Sequence, residues 1–291
     1  MNATQNQRWE WPTLAVAAAI YLTFGVLTLN HEVLPWWALV LGGGYVTAWH
    51  GSLQHEVVHG HPTPSPALNE LLVFPSLWLW LPFRLYRRSH LKHHDTGVIT
   101  DPLEDPESYY LTPTEWSACG KLRRLFLIVN NTVAGRLIFG PAICIKGVIA
   151  GEGRRFSRGD FSNARAWGMH AAGCALVVGW TYGVCGISLL EYVLWFAYPG
   201  VSLTLLRSFA EHQASFDHDE RTVIVKSGPL MSLLYLNNNL HAVHHAEPGM
   251  AWYQLPLRAR ECPRERYVFR GYGEIVARYL LRPKETVEFP L

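Results

Sequence analysis

The sequence predicts an all-α integral membrane protein: four transmembrane helices arranged as two hairpins, with a cytoplasmic cap that carries clustered histidines. Three observations lead there. Long apolar stretches come in two close pairs, 11–29 with 36–49 and 166–186 with 189–206. Lys and Arg are absent from the short connections inside both pairs. Eight of the 14 histidines fall into three groups with helical spacing. The chain is read as one domain, 1–291.

Each element follows from its residues. A helix needs about 20 apolar residues to cross a bilayer, and 11–29 meets this without a charge. Residues 30–35 are a short connection holding His31 and Glu32. The next stretch, from Trp36, carries Gly42, Gly43 and Gly44, which permit close helix contact. It is short if it stops at Trp49, so the helix is expected to continue through Gly51 into His55. A proline-rich loop follows His61. Residues 68–83 are apolar but hold Pro75 and Pro82, which suits a re-entrant or interface-lying segment. Residues 101–107 form an acidic, proline-broken loop. Residues 125–150 contain Arg136 and Lys146, which predicts a helix on the membrane surface. The third crossing, 166–186, carries Gly179 and Gly183 in a GxxxG arrangement expected to make a helix contact. Ile187 and Ser188 turn the chain into the fourth, and everything from Arg207 onward is polar or mixed.

Charge placement orients this plan. Of 25 Lys and Arg residues, one is Arg8, thirteen lie from Arg84 to Arg165 and eleven from Arg207 to Lys284. The positive-inside rule then places both termini and both large polar regions in the cytoplasm. The first residues lack the cationic start and cleavage site of a signal peptide, so the segment is expected to be retained. Twelve Trp and 13 Tyr are a heavy load of interface-seeking aromatics. The 5 cysteines are scattered without a CxxC pair, which argues against a disulfide framework, a zinc ribbon or an iron–sulfur cluster. A formal net charge of +2 carries no signal for nucleic acid, and no such partner is expected.

The histidine groups carry the chemistry. HEVVH places His55 and His59 one turn apart. SHLKHH holds His90, His93 and His94, and NNNLHAVHH holds His241, His244 and His245. Spacings of three and four put the imidazoles of each group on one helix face. A buried face of unpaired imidazoles is expensive, whereas neutral imidazole is the commonest metal ligand and suits iron, zinc and copper. His31, His50, His170 and His218 stand alone and read as ordinary polar, interface or supporting residues. His61, in HGH, reads as a helix-end or supporting group, with direct ligation left open. His212 sits just past the fourth crossing, flanked by Arg207 and Glu211 at a one-turn spacing. Spacing alone leaves it between ligand and bystander. Glu56, Asp95, Glu211, Asp217 and Glu247 are candidates to accept imidazole N–H bonds, or to be solvated caps.

HEVVHGH, SHLKHH and NNNLHAVHH resemble the three histidine boxes, HxxxH, HxxHH and HxxHH, of the membrane fatty acid desaturase and hydroxylase family. The resemblance runs from about His55 to His245, and the paired crossings extend it to nearly the whole chain. It implies a non-haem centre of two irons on the cytoplasmic side. It also implies O2 as co-substrate and two electrons from outside, directed at an unactivated C–H bond. His55, His59, His90, His93, His94, His241, His244 and His245 are then ligands. The family also recruits a histidine just past the last crossing, and His212 matches. Where some members add an asparagine one turn earlier this chain has Ser208, which predicts a solvent-filled position at one iron.

By this likeness the substrate is a lipid-like acyl chain, with desaturation favoured and hydroxylation of an acyl, alkyl or carotenoid-like substrate as the alternative. Nothing resembles a fused cytochrome b5 segment or a ferredoxin-like cysteine set, so a separate ferredoxin, rubredoxin or cytochrome-type donor is expected. Arg84, Arg87, Arg88, Lys121, Arg123 and Arg124 suit a membrane surface, and Arg258, Arg260, Arg264 and Arg266 suit an acidic carrier. Two rivals remain. HEVVH also fits the HExxH zinc protease motif with Glu56 as base, but leaves six clustered histidines idle. A metal transporter would place polar ligands near the bilayer midplane, where these crossings hold almost none.

Overall fold

The computed structural model describes residues 9–261 and 268–290. Helix α1 is Trp11–Leu29, with Pro12 in its first turn, where a helix needs no N–H. Helix α2, Trp36–Val58, runs unbroken through the glycines, so His55 stands on its last turn and His59 at its C-cap. Short α3, Pro66–Leu72, is capped by the Ser65 side chain. Helix α4, Phe83–Asp95, carries the second histidine group. Then come α5, Pro113–Ala118, with a Thr112–Glu115 capping box, α6, Lys121–Asn130, and α7, Val133–Ser157. Helix α8, Ala164–Val178, continues as π-helix over Gly179–Val184. Helix α9, Leu189–Tyr192, starts at a Ser188–Glu191 capping box and passes through a π-helical turn into α10, Tyr198–Glu211. The remainder holds β1, Ile224–Val225, α11, Pro229–Leu234, α12, His241–Ala246, and α13, Leu255–Glu261. It closes with β2, Val268–Phe269, and α14, Tyr272–Tyr279. The two strands pair in parallel, Ile224 opposite Val268, a small departure from the all-α expectation.

Among the described residues, three stretches are long and apolar enough to cross a membrane: Trp11–Leu29, Val133–Ser157 and Leu189–Glu211. The first and third were expected. The second is the stretch that Arg136 and Lys146 suggested as a surface helix, and by length and composition alone it also suits a crossing. Arg136 is buried, its guanidinium donating to the Asn130 carbonyl at 3.2 Å and lying 4.9 Å from the Tyr109 ring centroid. A cation satisfied in this way no longer drives its helix toward water. Helix α2 is long enough, but Ser52, Gln54, His55 and Glu56 make its second half polar.

The contacts divide the chain into two compact units. One comprises residues up to Arg87 together with Pro141–Thr204. In it α2 packs on α1 and on the π-helical turn Val193–Ala197. The glycines explain the closeness: a Cβ on Gly43 would sit 2.4 Å from the Trp195 carbonyl oxygen, and one on Gly200 2.5 Å from Thr47. The Gly179 and Gly183 pair makes no such contact, since nothing lies within 4 Å of a Cβ at either. The buried face of that helix runs instead through Gly173, Val177 and Thr181, and a Cβ on Gly173 would meet the Phe74 carbonyl oxygen at 2.2 Å. Gly43→Val is therefore expected to destabilise this unit by about 1–3 kcal/mol, the usual cost of overpacking. The measurement is the thermal midpoint in detergent, and an unchanged midpoint would refute the contact.

The other unit comprises Arg88–Gly140 and the chain from Leu205 onward. Its core includes Ile224, Val243 and Leu255 between β1, α12 and α13. Extended backbone pairs Leu111 with Val287 and Phe289, and His212 bridges Thr222.

Candidate metal centre

Within the second unit, α4 and α12 each present their histidines on one face, as the spacing requires. The segment before α12 turns through Leu236 and Asn237, both with positive φ, at 47° and 55°. Asparagine tolerates that conformation better than most residues. The amide of Asn239 then donates to the Val225 carbonyl at 2.7 Å, tying the turn to β1.

Four histidines converge: His93 from α4, His212 from just past α10, and His241 and His245 from α12. One ring nitrogen of each lies within 4.8 Å of the others. The Nε2 atoms of His241 and His212 are 2.9 Å apart, those of His245 and His241 3.0 Å, and those of His93 and His245 3.3 Å. The outward nitrogens identify the tautomers. His93 Nδ1 lies 2.8 Å from the Asp105 carboxylate and His212 Nδ1 3.3 Å from the Arg221 carbonyl. His241 Nδ1 lies 3.1 Å from the Asn238 amide oxygen. These oxygens only accept, so each Nδ1 carries the proton and each Nε2 presents a lone pair. Burial holds His212, His241 and His245 well below the ordinary imidazole range, so the rings stay neutral. Lone pairs that face one another with no proton between them repel, and a cation at their centre removes the repulsion. The residues fit a first-row transition metal with imidazole ligands.

A second set lies beside the first. His94 Nε2 is 3.1 Å from both His90 Nε2 and His244 Nε2. Burial, reinforced by His90 and His93, pushes His94 down to about 2. His90 Nδ1 is 3.1 Å from Glu107. Burial opposes charge on that carboxyl, and the facing His90 outweighs it, holding Glu107 at about 2. In the first unit, His55 and His59 stand one turn apart with ring centroids 4.9 Å apart.

Two of the carboxylates the sequence suggested lie beside histidines. Glu211 lies 3.5 Å from His241 Nδ1 and pairs with Arg207 at 2.9 Å. Glu56 is 3.8 Å from His55 Nδ1. Glu247 pairs instead with Arg258, Asp95 ends α4, and Asp217 accepts from the Glu220 amide in the turn at His218. Asp105 and Glu107 were missed. Their only signal was the acidic density of 101–107, since a loop has no period to relate it to a helix face. The lone histidines have other partners: His31 with the Thr28 carbonyl, His50 with Tyr21, His61 with Glu10 at 2.6 Å, and His170 with the Leu79 carbonyl. The Ser208 hydroxyl donates back to Leu205.

The family model described as fatty acid desaturase matches residues 31–273. No curated protein matches the chain.

Proposed function

The chain belongs to the fatty acid desaturase family, which makes it a membrane oxidoreductase of the desaturase or hydroxylase kind, and from that premise we propose that it holds two irons and uses O2 to desaturate a lipid-like acyl chain. The observation that carries this is the four-imidazole set of His93, His212, His241 and His245, whose lone pairs converge. The second iron is assigned to His90, His94 and His244 with His55 and His59, on the strength of the family's box pattern. Bound iron supplies redox chemistry with O2 toward an unactivated C–H bond. The protein's part is to aim each ring. Asp105 and the Arg221 carbonyl do this by holding protons on Nδ1. Elemental analysis of iron-loaded protein is expected to give two irons per chain. Zinc as the native metal with activity retained defeats the proposal. Mass analysis of lipids from cells with and without the gene separates loss of two hydrogens from gain of one oxygen.

The whole chain, 1–291, is proposed as one desaturase domain with both termini and the metal centre on the cytoplasmic side. The absence of Lys and Arg from 30–35 and 187–188 supports this. Cysteines placed at Ser188 and Ser227 are expected to be labelled from opposite sides of the membrane; labelling from one side breaks the topology.

Electrons are proposed to come from a separate small carrier of the ferredoxin, rubredoxin or cytochrome type. Arg258 already holds Glu247 and Glu261, which leaves Arg260, exposed on α13, as the cation of that helix free to meet an acidic partner. Arg264 and Arg266, assigned to the same landing site, lie outside the described residues. Reversing both to Glu in detergent is expected to slow electron transfer and flatten its salt dependence, with substrate affinity unchanged. Unchanged transfer at low salt assigns the segment to the membrane surface alone.

A further inference from the structure

His212 differs from the other converging histidines in how it is held. The others stand on helices whose period aims them. His212 follows the last residue of α10, where a helix leaves its final carbonyls without intrahelical donors. Its place therefore depends on whatever satisfies those carbonyls.

The Val223 amide donates to the Glu211 carbonyl at 2.9 Å; the Phe209 and His212 carbonyls are served by Lys284 and Tyr109. The buried Lys284 ammonium donates to the Phe209 carbonyl at 2.8 Å and also to the His212 carbonyl. It lies 5.6 Å from the centre of the Phe209 ring. A cation at a helix C-terminus is favoured both by these carbonyls and by the helix dipole. The single Tyr109 hydroxyl proton is shared between Glu285, at 2.9 Å, and the same His212 carbonyl, at 3.3 Å. Glu285 ties the group together. One carboxylate oxygen lies 3.4 Å from the Lys284 ammonium, and the other accepts from the Ala214 amide at 3.2 Å, two residues past His212.

The segment that supplies Lys284 and Glu285 is itself fixed. The Lys284 amide donates to the Asn131 carbonyl at 2.9 Å, and the Asn131 side chain donates back to the Glu285 carbonyl at 2.6 Å. Beyond it, Leu111 pairs with Val287 and Phe289. The backbone of His212 is thus gripped by a rigid strap, while its ring is aimed by the Arg221 carbonyl.

We propose that Lys284, with Glu285 and Tyr109, is a positioning residue for metal binding: a buried clamp that sets the backbone of His212 so that its Nε2 reaches the iron of the four-histidine set. The inference rests on the reading of His212 as a ligand. It requires a selective effect, because only one of the two sets contains His212. Loosening a group that orients a ligand typically weakens metal affinity about 10–100-fold.

The test is iron stoichiometry and chelator competition on purified full-length protein, with the thermal midpoint of each iron-free variant. Wild type with two irons and His212→Ala with one establish the underlying reading; two irons in His212→Ala overturns that reading and the clamp with it. Given those controls, Lys284→Met is expected to lose one iron selectively, through a 10–100-fold weaker competition constant for one site. The clamp is overturned if Lys284→Met keeps both sites at wild-type affinity, or loses both together with the thermal midpoint. Tyr109→Phe provides a second arm that keeps the ammonium. It is expected to weaken the same site less and leave the other unchanged, and equal weakening of both sites counts against the clamp.

Discussion

His93→Ala and His244→Ala are each expected to abolish turnover while the protein still folds into the membrane. The two residues belong to different sets: His93 Nε2 faces His245 at 3.3 Å and His244 Nε2 faces His94 at 3.1 Å. On the proposed two-iron reading, each substitution removes one donor from a different iron. Groups that merely orient a ligand cost about 10–100-fold when lost, so removal of a ligand itself should exceed that range. The apolar helices owe their stability to packing, such as the approach of Gly43 to the Trp195 carbonyl, and this is untouched by either change. Product formation near the wild-type rate from either variant, measured on membranes with equal protein content, would remove that residue from the ligand set.

Asp105→Ala should produce the second largest effect, although no box contains Asp105. Its carboxylate accepts from His93 Nδ1, from the Thr100 amide and from the Glu107 amide, each at 2.8 Å. Alanine leaves the buried His93 Nδ1–H and Thr100 N–H without this acceptor, at about 1–3 kcal/mol per group. It also frees the His93 ring to turn and to change tautomer. Iron affinity is expected to fall about 10–100-fold, together with a lower thermal midpoint. Asp105→Asn keeps one acceptor oxygen and should fall between alanine and wild type. Full iron occupancy in Asp105→Ala under chelator competition would show that His93 is oriented by other groups.

The two predictions differ in where they were legible. That His93 and His244 each share a face with the other histidines of their group was readable because a helix repeats about every 3.6 residues. The length a crossing needs gave α2 its continuation into His55. The apolar stretches Trp11–Leu29 and Leu189–Glu211, long enough to cross a membrane, were legible from their length and apolarity. The likeness to the desaturase boxes, not the spacing, turned His212 from an open question into an expected ligand.

Residue order was blind wherever the decisive partner is remote. Asp105 and Glu107 lie 12 and 17 residues from the histidines they hold, across a loop with no period. Lys284 reaches His212 from 72 residues away. Arg136 reads as a charge that needs water until Tyr109 and the Asn130 carbonyl are seen around it. Gly179 and Gly183 read as a contact until the buried face is seen to run through Gly173, Val177 and Thr181. The sequence by itself determined the family, the helical stretches and the groups of imidazoles, because each depends on interactions within one turn or on net apolarity. Only the tertiary structure decided which nitrogen of each ring carries the proton and what grips His212. Those depend on acceptors and donors brought close by folding, whose energy is set by distance in space and by exclusion of water.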